Sequence, residues 1–199
     1  MKSFKTSLNL NNKQRTLMAK HAGVARHAYN WELAICIEAK EKGEKRPSAV
    51  TLHKRLVAEV KSEYEWYYEV SKCAPQQALR DLESAFKNFF TVKGRGFPRF
   101  KKKGRHDSFC LEGNLQIRGN KIKLPRIGWV KTYEKHLPPI LVKSNSNVTI
   151  SRHADQWLIS YKVDVEPEKI DHPKSVVGVD LGVKTLATWS DGALPARAR

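Results

Sequence analysis

A single carboxylate, Asp180, sits inside the run Ser175-Val176-Val177-Gly178-Val179-Asp180-Leu181-Gly182, which reads as a strand buried on both faces. An ionised side chain is costly there unless something positive holds it, so type and place together predict a metal ion or a phosphate-bound cation. Two unrelated kinds of site begin with a strand, an Asp, a Gly and a turn: the metal site of ribonuclease-H-like nucleases, and the first phosphate loop of actin-like ATPases and sugar kinases. Gly178-Val179-Asp180-Leu181-Gly182-x-x-Thr185 is compatible with both. A turn-capping Asp at a strand end is the plain structural alternative. Hydride transfer is excluded by the missing G-x-G-x-x-G, and there is no Walker loop.

The second concentration of chemistry is basic. Between Lys93 and Arg126, eleven Lys and Arg stand against two acids, an excess of nine that supplies about half of the chain's net charge of +17. At its centre lies Phe97-Pro98-Arg99-Phe100-Lys101-Lys102-Lys103, preceded by Arg95 and followed by Arg105. Cations interleaved with aromatics suit a phosphate backbone with occasional base stacking. Read alone, such a run could equally be solvated or a targeting signal. Context favours the nuclease alternative for Asp180, because an ATPase leaves the basic run without a purpose.

Composition agrees. With 37 Lys and Arg against 20 Asp and Glu in 199 residues, the field favours polyanions over acidic proteins or neutral metabolites. No stretch approaches the roughly 18 apolar residues of a spanning helix, and Met1 to Lys5 lacks the apolar run of a signal peptide. The expectation is a cytoplasmic protein with no membrane partner. Cys36, Cys73 and Cys110 form no C-x-x-C pair, and the seven His include no H-E-x-x-H, so no zinc is expected in this chain.

These residues need a scaffold. Phe4 to Leu10 alternates as a half-buried strand. Asn11 and Gln14 have the spacing of a capping box, which opens a helix with Leu17, His21, Val24, Ala28, Trp31 and Ile35 on one stripe, ended by Gly43 and Pro47. Ser48 and Thr51 can cap a second helix carrying Leu52, Leu56 and Val60, before the cluster Tyr64, Trp66, Tyr67 and Tyr68. Pro75 suits the first turn of a third, with Leu79, Leu82, Phe86, Phe89 and Phe90 on its buried side. The aromatics of these helices read as core before they read as a stacking platform. Beyond Gly94 and Gly96 the pattern is strand-like: Ser108 to Leu111, Leu115 and Ile117 turning at Gly119-Asn120 into Ile122 and Leu124, then Val148 and Ile150, then Trp157 to Val165. Such short strands suggest a small barrel. After Pro167 and Pro173 comes the Asp180 strand, with Lys184 to Trp189 as its hairpin partner.

Four motifs, in order, resemble a known family. Tyr29-Asn30-Trp31, Gln77-Ala78-Leu79-Arg80-Asp81-Leu82, Phe97-Pro98-Arg99-Phe100-Lys101-Lys102-Lys103 and Gly178-Val179-Asp180-Leu181-Gly182 look like TnpB, also called the OrfB transposase of insertion sequences, an RNA-guided nuclease related to the type V CRISPR effectors. The resemblance implies an α+β protein: an oligonucleotide-binding-like barrel, or wedge domain, from residues 1–10 and 93–170, split by a helical recognition domain at 11–92. The start of a ribonuclease-H-like RuvC domain follows at 173–199. It further implies guide RNA and double-stranded DNA as partners, with Arg26, Tyr29, Asn30, Arg95, Phe97, Arg99, Phe100, Lys101, Lys102, Lys103 and Arg105 as nucleic-acid contacts.

By the same resemblance Asp180 is the first catalytic, metal-binding carboxylate, and Mg2+ is the ion of the complete nuclease. The family's later Glu and Asp and its four-Cys zinc finger have no counterpart before Arg199. The expectation is therefore a truncated or frameshifted copy, or a fragment, that keeps guide RNA and DNA binding without full cleavage. A stand-alone nucleic-acid-binding regulatory module and an actin-like-fold ATP-binding protein are the alternatives.

Overall fold

The longest element starts where two side chains satisfy the first free amides of a helix. Asn11 Oδ1 accepts the Gln14 N–H at 2.8 Å, and Gln14 Oε1 accepts the Asn11 N–H at 3.1 Å. In this computed structural model, which describes residues 2–113, 115–139, 147–163, 178–180 and 188–189, that capping box launches the 30-residue α1 (Asn12–Glu41). The helix ends at Gly43, whose φ of 72° only glycine adopts freely.

The buried side of α1 is wider than a single stripe. His21, Val24 and Ala28 are inside as expected, but Leu17, Trp31 and Ile35 are only half-buried, while Met18, Ala22, Ala25, Tyr29, Leu33 and Cys36 go in. The reason is that α1 is covered on two sides, by a later helix and by a sheet strand. Its alanines, which carry little hydrophobic signal, make that close approach possible.

Ser48 Oγ accepts the Thr51 N–H at 3.2 Å and caps α2 (Ala49–Arg55). A π-helical turn (Leu56–Val60), α3 (Lys61–Glu63) and a 3-10 turn (Glu65–Glu69) carry the chain to α4 (Cys73–Thr91), with Pro75 in its first turn. Leu79, Leu82 and Phe86 of α4 are buried against α1, whereas Phe90 is 73% exposed, contrary to the reading that put it in the core. Phe89 and Phe90 are adjacent on the helix, and only one of two neighbours can face the same way.

The strands form one antiparallel sheet. β1 (Lys2–Asn9), β2 (Ser108–Glu112), β3 (Gln116–Arg118), β4 (Lys121–Leu124), β5 (Gly128–Thr132), β6 (Asn147–His153) and β7 (Gln156–Val163) are ordered β2-β6-β7-β1-β5-β4-β3. Residues 2–7 of β1 pair with β7, and Leu8 and Asn9 pair with β5, so one strand joins two halves. Among the described residues the sheet is open: its ends, β2 and β3, do not pair, where the strand pattern suggested a small barrel. Strand β5 is absent from the sequence reading. Gly128, at φ 87°, lets the chain re-enter the sheet directly after a turn in which Arg126 takes φ 67°. Ile122, Val130, Ile150 and Ile159 are fully buried and join the residues of α1 and α4 in one hydrophobic cluster. Burying each such side chain is worth about 1.5–3 kcal/mol.

The chain divides into two compact units, residues 1–165 and 166–199. In the second, β8 (Val179–Asp180) pairs antiparallel with β9 (Thr188–Trp189), Asp180 opposite Thr188. Val179 is 56% exposed, which corrects the picture of a strand buried on both faces at that position. Val176, Val177, Leu181, Gly182, Thr185 and Lys184 to Ala187, together with the Pro167 and Pro173 boundary, lie outside the described residues.

Candidate nucleic-acid interface

The basic segment is anchored before it is presented. Gly94, at φ 84°, turns the chain off α4. Phe97 then packs edge-on against Phe86 and Phe89 at 5.5 Å each, with Lys40 Nζ 5.0 Å above its ring. Pro98 is buried beside it.

Three residues later, at Lys101, the segment is clamped onto α1. Asn30 Nδ2 donates to the Lys101 carbonyl at 2.9 Å, and Asn30 Oδ1 accepts the Lys101 N–H at 2.8 Å. The Lys101 side chain turns inward, its Nζ 4.2 Å from the centre of the Tyr29 ring. Burial lowers the affinity of that ammonium for its proton, with the charge of Asp81 opposing. Gly104, at φ 77°, turns the chain back, and its N–H donates to Asp107 Oδ2 at 3.2 Å. The other oxygen of Asp107 accepts from Arg26 Nη1 at 2.9 Å, and its carbonyl accepts the Arg152 N–H of β6 at 2.7 Å. The loop is thus bonded to α1 and the sheet and packed on α4.

The eleven residues assigned to nucleic acid therefore fall into two groups. Arg26, Tyr29, Asn30, Phe97 and Lys101 face inward: Tyr29 is 6% exposed, the Asn30 amide is spent at both ends, Arg26 is ion-paired, and Phe97 and Lys101 are packed on rings. Arg95, Arg99, Phe100, Lys102, Lys103 and Arg105 are exposed, Phe100 by 51%. The structure brings the two groups together as scaffold and display. Sequence reasoning missed Asp107, which makes the turn possible; the signal was that it is the one acid between Lys93 and Leu111.

Among the described residues no group of three or more His, Cys, Asp or Glu could hold a metal ion. A two-metal centre needs several carboxylates, and Asp180 by itself does not make one.

A family model described as a helix-turn-helix domain, of the OrfB type, matches residues 1–45. The chain is 35% identical over 198 residues, 98% of its length, to a protein of Escherichia coli K12 named "Putative RNA-guided DNA endonuclease InsQ". The chain resembles the TnpB (OrfB) family. A second TnpB-like relative, "Putative RNA-guided DNA endonuclease Rv2885c" of Mycobacterium tuberculosis H37Rv, is 28% identical over 96% of the chain. A third, "Putative RNA-guided DNA endonuclease" of Streptomyces pristinaespiralis, is 27% identical over the same share. In each case 48% of the relative is covered, so the chain spans about half the length of the curated relatives it matches. The TnpB-type segment named for a helix-turn-helix folds here as one strand and one unbroken helix. Among the described residues no helix is long and apolar enough to cross a membrane.

Proposed function

We propose that residues 1–165 form the nucleic-acid-holding part of a TnpB-like, RNA-guided DNA endonuclease, binding a guide RNA and its double-stranded DNA target. The sheet is read as an oligonucleotide-binding-like wedge domain, residues 11–92 as the recognition insert, and the β8–β9 pair as the opening of a RuvC-like domain. Asp180 is then the first carboxylate of the Mg2+ site, and this chain alone binds without full cleavage. One observation carries the reading: four cations, Arg99, Lys102, Lys103 and Arg105, stand exposed on a loop that is bonded to α1 and the sheet. A fixed row of charges meets a phosphate backbone without first having to be ordered.

Affinity for a structured RNA, titrated against salt, is the test. Each phosphate contact contributes about −0.7 to −0.9 to the log–log slope, so replacing all four cations by Ala should flatten it by about 3 and weaken every sequence similarly. An unchanged slope in a folded variant overturns the assignment. Asp180→Ala leaves this binding unaltered. Magnesium-dependent DNA cleavage by the 199-residue chain, abolished by Asp180→Ala, would refute the claim of binding without cleavage.

A further inference from the structure

Gly23 lies well inside α1, where glycine weakens a helix relative to alanine. No close neighbour requires it: a Cβ built there meets only Arg26 Nη2, at 4.0 Å. What the missing side chain leaves is an open groove of about 380 Å³ with Gly23 and Val24 as its floor and Lys20, Arg26, His27 and Trp66 around it.

The wall of that groove is an aromatic plate held in place from behind. Trp66 is 36% exposed. Its ring lies 4.6 Å from Tyr67 and 5.5 Å from Tyr64, and edge-to-face with His27 at 5.2 Å. His27 is fixed in turn by its Nδ1, 2.8 Å from the Tyr67 hydroxyl. Burial lowers its pKa, against the pull of Glu63, so the ring is neutral at physiological pH. The two cations at the rim already have partners, Lys20 with Glu69 and Arg26 with Asp107, which leaves them as hydrogen-bond donors rather than free charges. Arg26 also borders a small depression shared with Lys101, Arg105 and Asp107, so the groove adjoins the cation-bearing loop.

We propose that this groove takes one unpaired nucleobase of a bound RNA, stacked on the Trp66 indole over Gly23, while the cations of the loop hold the adjoining backbone. The proposal rests on the nucleic-acid reading above and adds a base-binding position to it. An indole face with hydrogen-bond donors beside it suits a base, which has a π-face and polar edges, better than a phosphate. A base inside a duplex has both faces covered, whereas RNA loops and bulges offer bases that can be splayed out onto aromatic rings.

The experiment compares a hairpin RNA carrying an unpaired loop with a fully paired RNA of the same length, and with the same hairpin as DNA, on the full chain. Trp66→Ala should weaken the looped RNA about tenfold or more and the paired RNA less than twofold. Gly23→Leu, which fills the groove in a helix-favouring way, should do the same with an unchanged or raised Tm; Gly23→Ala should bind nearly as the wild type does. Trp66→Phe should restore most of the affinity. Folded Trp66→Ala and Gly23→Leu variants that bind looped RNA like the wild type overturn the groove and leave the loop's role intact. Equal losses on looped and paired RNA overturn it as well, and losses confined to the DNA hairpin overturn RNA as the occupant. A wild-type chain that binds none of the three overturns the nucleic-acid reading itself.

Discussion

His21 and Glu32 sit about three turns apart on α1, both fully buried, and their surroundings treat them in opposite ways. His21 Nε2 accepts the Ser71 N–H at 3.0 Å, which places the ring proton on Nδ1, donating to the Leu17 carbonyl at 2.7 Å. The ring stacks on Phe109 of β2 at 5.0 Å. Burial holds its pKa below the ordinary 6.5, against the raising effect of the Leu17 bond and with help from Arg126. Among the described residues, Glu32 has no hydrogen-bond partner for either oxygen. Burial pushes its pKa up to about 8, with Arg46 pulling the other way and Glu83 adding to the rise. One stretch of the helix is therefore joined to two other elements by a satisfied polar group. The other is packed around an acid that stays inside by keeping its proton.

The strongest way to break that contrast is His21→Ala, which removes two hydrogen bonds, leaves the Ser71 N–H unpaired and opens a cavity. A loss of about 3 kcal/mol is expected in urea unfolding. A loss below about 1 kcal/mol would mean the ring is not a joint.

Glu32→Gln sharpens the contrast through pH. Between the ordinary 4.5 and about 8 the unfolded chain has released a proton that the folded chain keeps, so wild-type stability falls as pH rises through that window. The variant should lose this slope, matching the wild type near pH 4.5 and gaining on it steadily up to pH 8. His21 acts with the opposite sign: its lowered pKa makes the folded chain lose stability as pH drops below 6.5. Parallel pH profiles for wild type and Glu32→Gln would show that the carboxyl is not held neutral.

The smallest effect belongs to Asn30, a polar group on the same helix whose amide is satisfied at both ends by Lys101. Asn30→Ala should cost about 1–2 kcal/mol and free the loop. Tryptic cutting at Lys101 to Arg105 should then become faster while the fold persists. Unchanged cutting would place the hold on the loop elsewhere, at Asp107 or Phe97.

What the sequence made legible was whatever is encoded within a few residues. The Asn11–Gln14 capping box, the Ser48 cap, Pro75 in a first turn and the Gly119 hairpin each carry their own instruction, and each formed as read. The cation row was legible too, as composition. That Lys101 turns inward was not, because its partners Tyr29 and Asn30 are about 70 residues away and no local pattern announces the meeting. Glu32 looked like one more polar position on a helix, and only α4 and the segment holding Arg46 make it buried. Strand β5 is entered too abruptly, at Gly128, for a lead-in to announce it.

The strand that joins the two halves of the sheet also sets a schedule. β1 is made first, yet its longest partner runs from Gln156 to Val163, and Lys2 pairs with Val163 itself. At translation rates of about 5–20 residues per second, roughly 10–30 s separate the synthesis of the two strands. Over the same interval α1 needs no distant partner to coil and can do so within microseconds. The nascent chain thus carries a finished helix behind an unpaired strand, and β3, β4 and β5 can zip as local hairpins before β7 is made. Joining the ends is the last event, and it bears the loop-closure entropy of the whole intervening chain.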